Sequence, residues 1–201
     1  MARYTGLLED FISIGNALFL SAKLPVVTKE EPVHVRQEQP DDFPAIYELV
    51  RSAFALAPTK DGDEQDYVVS LRNSRKYVPR LALVAEEGGR IIGHILLTRT
   101  SLEKGMSDSE ELLLSPVSVA PKHQRKGVGG ALIREALRIA RNLGYAAVFL
   151  CGEPEIYRRF GFRPASEFRI VNRGVAPSDK VLACELYPGA LNASAGFIAI
   201  V

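Results

Sequence analysis

The stretch from Leu112 to Leu150 constrains the fold more than any other part of the chain. Val128, Leu132, Ala136, Ile139, Ala140 and Leu143 recur at three- and four-residue steps, the spacing of one buried helix face. Gly144 stands where such a helix would stop. One apolar run, Leu112 to Val119, precedes this helix, and another, Ala146 to Leu150, follows it. Strand, helix and strand in that order form a βαβ unit, with a right-handed crossover and parallel strands if they share a sheet. Pro116 has no amide to give to a ladder, so it predicts a bulge or an edge in the first strand.

The remaining segments fit around this unit. Val33 to Glu38 alternates apolar and polar residues, as a strand does. Pro40-Asp41-Asp42 reads as a helix start, with Asp41 or Asp42 as cap. Ile46, Leu49, Val50, Ala53 and Phe54 then follow at helical spacing, up to Ala57-Pro58. A second helix is expected over 63–75, with Tyr67, Val68 and Leu71 on one side. Leu81 to Glu86 and Ile91 to Thr98 are strand-like, and Gly88-Gly89 between them signals a hairpin. Pro154 to Phe160 predicts a short helix with proline in its first turn. Late strands are expected at Phe168 to Val171, Val181 to Tyr187 and Gly196 to Val201. The sum is a mixed α/β (α+β) domain over 33–201.

Charge and cysteine content narrow the function. The formal net charge is +1, so no global field draws nucleic acid or an anionic membrane, and neither is expected as a partner. Cys151 and Cys184 make no disulfide framework, which favours a reduced, cytoplasmic setting. No cluster has metal-ligand spacing, so no metal is expected. Residues 1–32 read as an N-terminal extension, helical over the apolar part. Glu9 and Asp10 precede that part and only Arg3 is basic before it, which argues against a secretory signal. Its apolar face would pack on the domain or on a second subunit, and a homodimer is the hypothesis it raises.

The turn before the long helix carries the chemistry. Gln124-Arg125-Lys126-Gly127-Val128-Gly129-Gly130 leads directly into it. A helix's first turn has free N–H groups and partial positive charge, and phosphate oxygens bind there. Gly127 and Gly129 let the backbone approach an anion, and Arg125 and Lys126 add charge. The nucleotide P-loop spacing is absent, and so are the dinucleotide fingerprint and the kinase signatures. On its own, such a turn could equally start a helix and bind nothing, or hold a different phosphate ligand.

The wider pattern resembles one family. Gln124-Arg125-Lys126-Gly127-Val128-Gly129 is similar to the Gln/Arg-x-x-Gly-x-Gly/Ala motif of the GNAT superfamily of N-acetyltransferases. Leu112 to Val119 resembles that family's bulged fourth strand, and Tyr157-Arg158-Arg159-Phe160-Gly161-Phe162 its Tyr-x-x-x-Gly-Phe segment. Gly152-x-Pro154 and Leu186-Tyr187-Pro188-Gly189-Ala190-Leu191 are similar to one bacterial branch. The resemblance covers about Val33 to Val201. It implies a central mixed, mostly antiparallel sheet, splayed parallel strands 4 and 5, and flanking helices.

The same resemblance implies acetyl-CoA as co-substrate, entering between the splayed strands. Val117, Ser118 and Val119 would line the pantetheine arm, with the backbone of Val117 and Val119 pairing with it. Gln124, Arg125, Lys126, Gly127, Val128, Gly129 and Gly130 would hold the pyrophosphate. A primary amine, on a small molecule or peptide, would attack directly in a ternary complex. Tyr157 occupies the general-acid position; a phenol near ~10 stays protonated beside a thiol near ~8.5. Some members carry a glutamate where this chain has Leu113. Glu111, two residues earlier and on the same strand face, is the expected base, with His94, Glu110 and Asp63-Glu64-Asp66 as alternatives. Cys151 reads as a small buried residue. Without the glutamate at Leu113, a CoA-binding regulatory or interaction module with little turnover is the alternative.

Overall fold

A computed structural model of the chain describes residues 33–55, 62–105, 107–191 and 195–200. The expectations for residues 1–32, Ala57-Pro58 and Val201 lie outside the described residues.

The first half is an antiparallel meander covered on both faces. β1 (His34–Gln37) pairs with β2 (Tyr77–Glu87). β2 pairs with β3 (Arg90–Lys104), and β3 with β4 (Ser107–Val119). Gly88 and Gly89 both have positive φ, 55° and 73°, as a two-residue hairpin turn needs. Two helices separate β1 from β2: α1 (Phe43–Phe54) and α2 (Glu64–Arg72). Asp42 stands at the N-cap of α1, but its side chain makes no cap bond there. Instead, the Asp42 carboxylate accepts from the Gln39 amide at 2.7 Å and pairs with Arg36. Ile46, Val50 and Val68 lay the buried stripes of both helices on Val84. Tyr67, expected on that stripe, is exposed, and Val68 and Leu71 carry the contact.

α3 (Val128–Asn142) covers the other face. Val128, Leu132, Ile133, Ala136 and Ala140 are buried against Leu83, Ile95, Leu97, Leu112 and Leu114. Each large side chain among them contributes about 1.5–3 kcal/mol through burial. Gly93 sets how closely helix and sheet approach, since a Cβ there would lie 2.9 Å from both Leu132 Cδ1 and Val128 Cγ1. Gly144, at φ 88°, ends the helix, and the chain returns as β5 (Ala147–Cys151).

The sheet order is β1-β2-β3-β4-β5, then β8 (Val181–Glu185) and β6 (Arg163–Pro164). β4 and β5 are parallel, as expected of the βαβ unit. After β5 come α4 (Pro154–Tyr157), a two-residue β6 (Arg163–Pro164), β7 (Ile170–Asn172), β8 (Val181–Glu185) and β9 (Gly196–Ile198). β7 pairs in parallel with β9, which touches β3. Phe168, expected in a strand, ends a 3-10 turn over Ala165–Phe168 and is buried in a second core around Phe149. Among the described residues no helix is long and apolar enough to cross a membrane.

Candidate active site

β4 and β5 pair only at Leu112↔Val148 and Leu113↔Phe149. Beyond that point β5 stays with β8 as far as Cys151, and β4 runs on with β3 to Val119. A V-shaped gap therefore opens between two strands of one sheet. The bulge forms its apex: Leu97 faces Leu114 and Ile95 faces Val117, so Ser115 and Pro116 together oppose Leu96. The Ser115–Pro116 peptide is cis.

The β4 edge facing this gap has open backbone groups. Ala120 donates its N–H to the Ile92 carbonyl at 2.9 Å, and Ile92, His94 and Ala120, Ser118 alternate along the same antiparallel ladder. Alternation turns the N–H and C=O of Ser118 towards β3 and those of Val117 and Val119 towards the gap. Ser118 thus differs from its neighbours. Its backbone is committed to β3 and its side chain is buried on the α1 face, so it does not line the gap. The Gln124 side-chain amide donates to the Val119 carbonyl at 3.2 Å, fastening the turn to the strand end.

That turn leads into α3. Arg125 (φ 59°) and Gly127 (φ 91°) both take left-handed backbone, curling the chain around the helix start. Gly127 is the N-cap and has no side chain to bond the first amides. The first intrahelical bond, Ala131 N–H to Gly127 C=O at 2.9 Å, leaves the amides of Val128, Gly129 and Gly130 without helical partners. Lys122, Arg125 and Lys126 are exposed, and none pairs with a carboxylate among the described residues. Free amides, uncompensated cations and an absent Cβ fit a diphosphate.

Across the gap, α4 returns the Tyr157 ring onto the end of β5. The ring lies on Gly152, where a Cβ would come within 2.6 Å of its Cε2, and meets Phe162 edge-on at 5.8 Å. The Tyr157 hydroxyl has no hydrogen-bond partner among the described residues. Burial, then the neighbouring Cys151, raises its pKa above the ordinary 10.0. Cys151 is exposed, not buried as expected, because β5 ends there and the gap has opened. Burial still pushes its thiol upward, so nothing activates it as a nucleophile.

The base candidates lie elsewhere. Glu111 is buried on β4, one step before pairing with β5 begins, and both of its oxygens are engaged. One accepts from the Ala147 amide at 2.9 Å, the other from the Ser109 hydroxyl at 3.0 Å. Glu111, expected as the base, is therefore engaged as a cap on the first amide of β5. Glu110 pairs with Arg99 on the surface, and Asp66 accepts from Tyr47. His94 is fully buried and bonded to Glu38, a residue that sequence reasoning missed. No cluster that could hold a metal occurs among the described residues.

A bulged strand that parts from its parallel neighbour beside a glycine-started helix is the arrangement the sequence motifs implied. Residues 34–165 match the family described as acetyltransferase (GNAT) domain. The chain belongs to the GNAT acetyltransferase family. Among its relatives, the Escherichia coli protein named as uncharacterized N-acetyltransferase YhbS is 28% identical over 82% of this chain and 93% of its own length. Another, YjhQ of the same organism, is 38% identical over 51% of this chain, an alignment spanning only 57% of YjhQ. The GNAT fold superposes on YhbS in complex with CoA with a TM-score of 0.73 at 27% identity, covering 84% and 89% of the two chains. A Brucella melitensis GNAT acetyltransferase in complex with acetyl-CoA gives 0.67 at 30% identity, over 84% and 96%. As in the family at large, acetyl-CoA is the acetyl donor.

Proposed function

We propose that this acetyltransferase acts on a primary amine, carried by a small molecule or a peptide, in a ternary complex with acetyl-CoA. The observation that carries this is the gap between β4 and β5, with free α3 amides at one end and the unbonded Tyr157 hydroxyl at the other. Bound acetyl-CoA supplies a thioester carbonyl open to attack and a thiolate that leaves. Amides from Arg125 through Gly130 hold its pyrophosphate, with Arg125 and Lys126 adding charge. The open N–H and C=O of Val117 and the N–H of Val119 hold the pantetheine arm as an added strand would. Tyr157 keeps its proton at neutral pH and delivers it to the departing sulfur. Glu111 holds the parallel pair together where it begins, and removal of the amine proton falls to solvent in the gap. Two free cysteines accord with a reducing compartment, and we place the protein in the cytoplasm.

Calorimetric titration with acetyl-CoA, CoA and NADH, followed by turnover on a panel of amines, tests this reading. Micromolar-range binding of acetyl-CoA and CoA but not NADH, with release of free thiol on addition of an amine, is expected. Binding without turnover on any amine would reduce the protein to a CoA-binding module. No binding by the folded protein would overturn the site.

A further inference from the structure

Two buried polar atoms lack hydrogen-bond partners among the described residues: His94 Nδ1 and Ser118 Oγ. They belong to residues directly opposite each other, His94 on β3 and Ser118 on β4, in a hydrogen-bonded antiparallel pair whose side chains share a face. A buried polar atom left unsatisfied is costly, so their juxtaposition calls for a reason.

The chemistry of the imidazole makes the two complementary. Glu38 accepts from Arg72 Nε and Nη2, both at 2.8 Å, and from the Tyr77 hydroxyl at 2.8 Å. Burial opposes its charge, but Arg72 and His94 outweigh that and hold its pKa at about 2, so the carboxylate only accepts. His94 Nε2, 3.0 Å from Glu38 Oε2, therefore carries the proton and donates. Burial pushes the His94 pKa down despite Glu38, which keeps the ring neutral and Nδ1 a bare acceptor. Ser118 presents a hydroxyl with a proton to give. A donor and an acceptor thus face each other across one rung without bonding to each other, and no other partner reaches either of them among the described residues.

We infer that one buried water joins Ser118 Oγ to His94 Nδ1, making Ser118, His94 and Glu38 a positioning chain for the β4 edge that receives acetyl-CoA. The role at that edge rests on the proposed function. The chain runs from α2 through Arg72 and Glu38 to His94 and ends on Ser118, between Val117 and Val119. Those two residues have no strand neighbour on the gap side to fix them. The planes that carry the Val117 carbonyl and the Val119 amide are the two that flank Ser118; β3 holds them by one edge, and the Ser118 side chain adds a hold from the face of the sheet that keeps them aligned for the pantetheine arm. Ser118 and His94 are positioning residues and touch no reacting atom.

Nitrogen-15 NMR of the imidazole, combined with acetyl-CoA calorimetry, tests the chain. In the wild type, His94 is expected as the neutral Nε2–H tautomer with its Nδ1 signal displaced from the value of a free imine nitrogen. In Ser118→Ala that signal moves to the free value, and the acetyl-CoA Kd rises about three- to tenfold. Ser118→Thr, which keeps the hydroxyl, returns both readings towards wild type. A wild-type Nδ1–H tautomer, or a free Nδ1 signal before any mutation, would refute the water bridge without involving the cofactor. An Nδ1 signal that moves in Ser118→Ala with an unchanged Kd would remove the role at the edge. A wild-type protein with the expected imidazole signals but no acetyl-CoA affinity would overturn the proposed function and, with it, that role.

Discussion

Gly152 and Tyr157 occupy one another's space: a Cβ on residue 152 would lie 2.6 Å from Cε2 of the tyrosine ring. The ring can rest on the end of β5 only because position 152 has no side chain. Gly152→Ala is expected to push the hydroxyl out of line with the gap and to slow turnover by about tenfold or more, since small misplacements of a catalytic group are costly. Tyr157→Phe, which keeps the ring and removes only the proton donor, should lower kcat by about a hundredfold. CoA affinity, measured by calorimetry, should change little in either variant. Because burial raises the phenol above its ordinary value, no loss of the acid is expected in the kcat profile through the neutral range.

Gly127 is the position at which the pyrophosphate site is most exposed to test. It has open space around its Cα but a φ of 91°, so any other residue there adopts strained left-handed backbone, costing about 1–2 kcal/mol. Gly127→Glu adds a carboxylate beside the free amides, where it competes with the diphosphate. CoA binding should fall below detection in a variant whose circular dichroism matches wild type and whose melting temperature drops by only several degrees. Unchanged affinity would remove the α3 start from the site.

Gly93 tests how the fold holds that helix start. Gly93→Val would drive carbon into Leu132 and Val128, already 2.9 Å from a bare Cβ, and α3 must lift from β3. Overpacking of this kind costs about 1–3 kcal/mol. The melting temperature should drop, and CoA affinity should fall with it, because Val128 is both the first residue of α3 and part of the phosphate turn. A variant that loses stability and keeps full affinity would show that the turn is independent of the α3–β3 contact.

The legible parts of this chain are those encoded by near neighbours. The α3 stripe, the Gly88-Gly89 hairpin and the Pro116 bulge each lie within one short window, and period or backbone chemistry announces them. What stayed hidden depends on distant pairs. Strand alternation places Glu111 on the face of Leu113, but the unpaired amide of Ala147, 36 residues on, decides its role. Glu38 looks like the polar end of a strand until Arg72, Tyr77 and His94 close around it. β6, two residues long, has no periodicity to detect, and Phe168 has strand-like composition while its backbone makes a 3-10 turn. Gly152 carried a local signal, a glycine two residues before the proline that starts α4, but its reason is the returning ring.

The Glu38 cluster predicts how the fold responds to acid. Glu38 is lowered from 4.5 to about 2, so the stability it contributes is complete above about 4.5 and is lost as pH falls through that window towards 2. That contribution is on the order of 3 kcal/mol. His94, also lowered by burial, acts in the same direction: below its ordinary 6.5 the unfolded chain takes up a proton that the folded one resists. Denaturant midpoints should therefore begin to fall below about pH 6.5 and fall more steeply below 4.5. Glu38→Gln should flatten the lower part of that curve while lowering stability at pH 7 by about 3–5 kcal/mol, because Arg72 is left buried without its counter-ion. A variant that retained the full acid dependence would show that other carboxylates govern it.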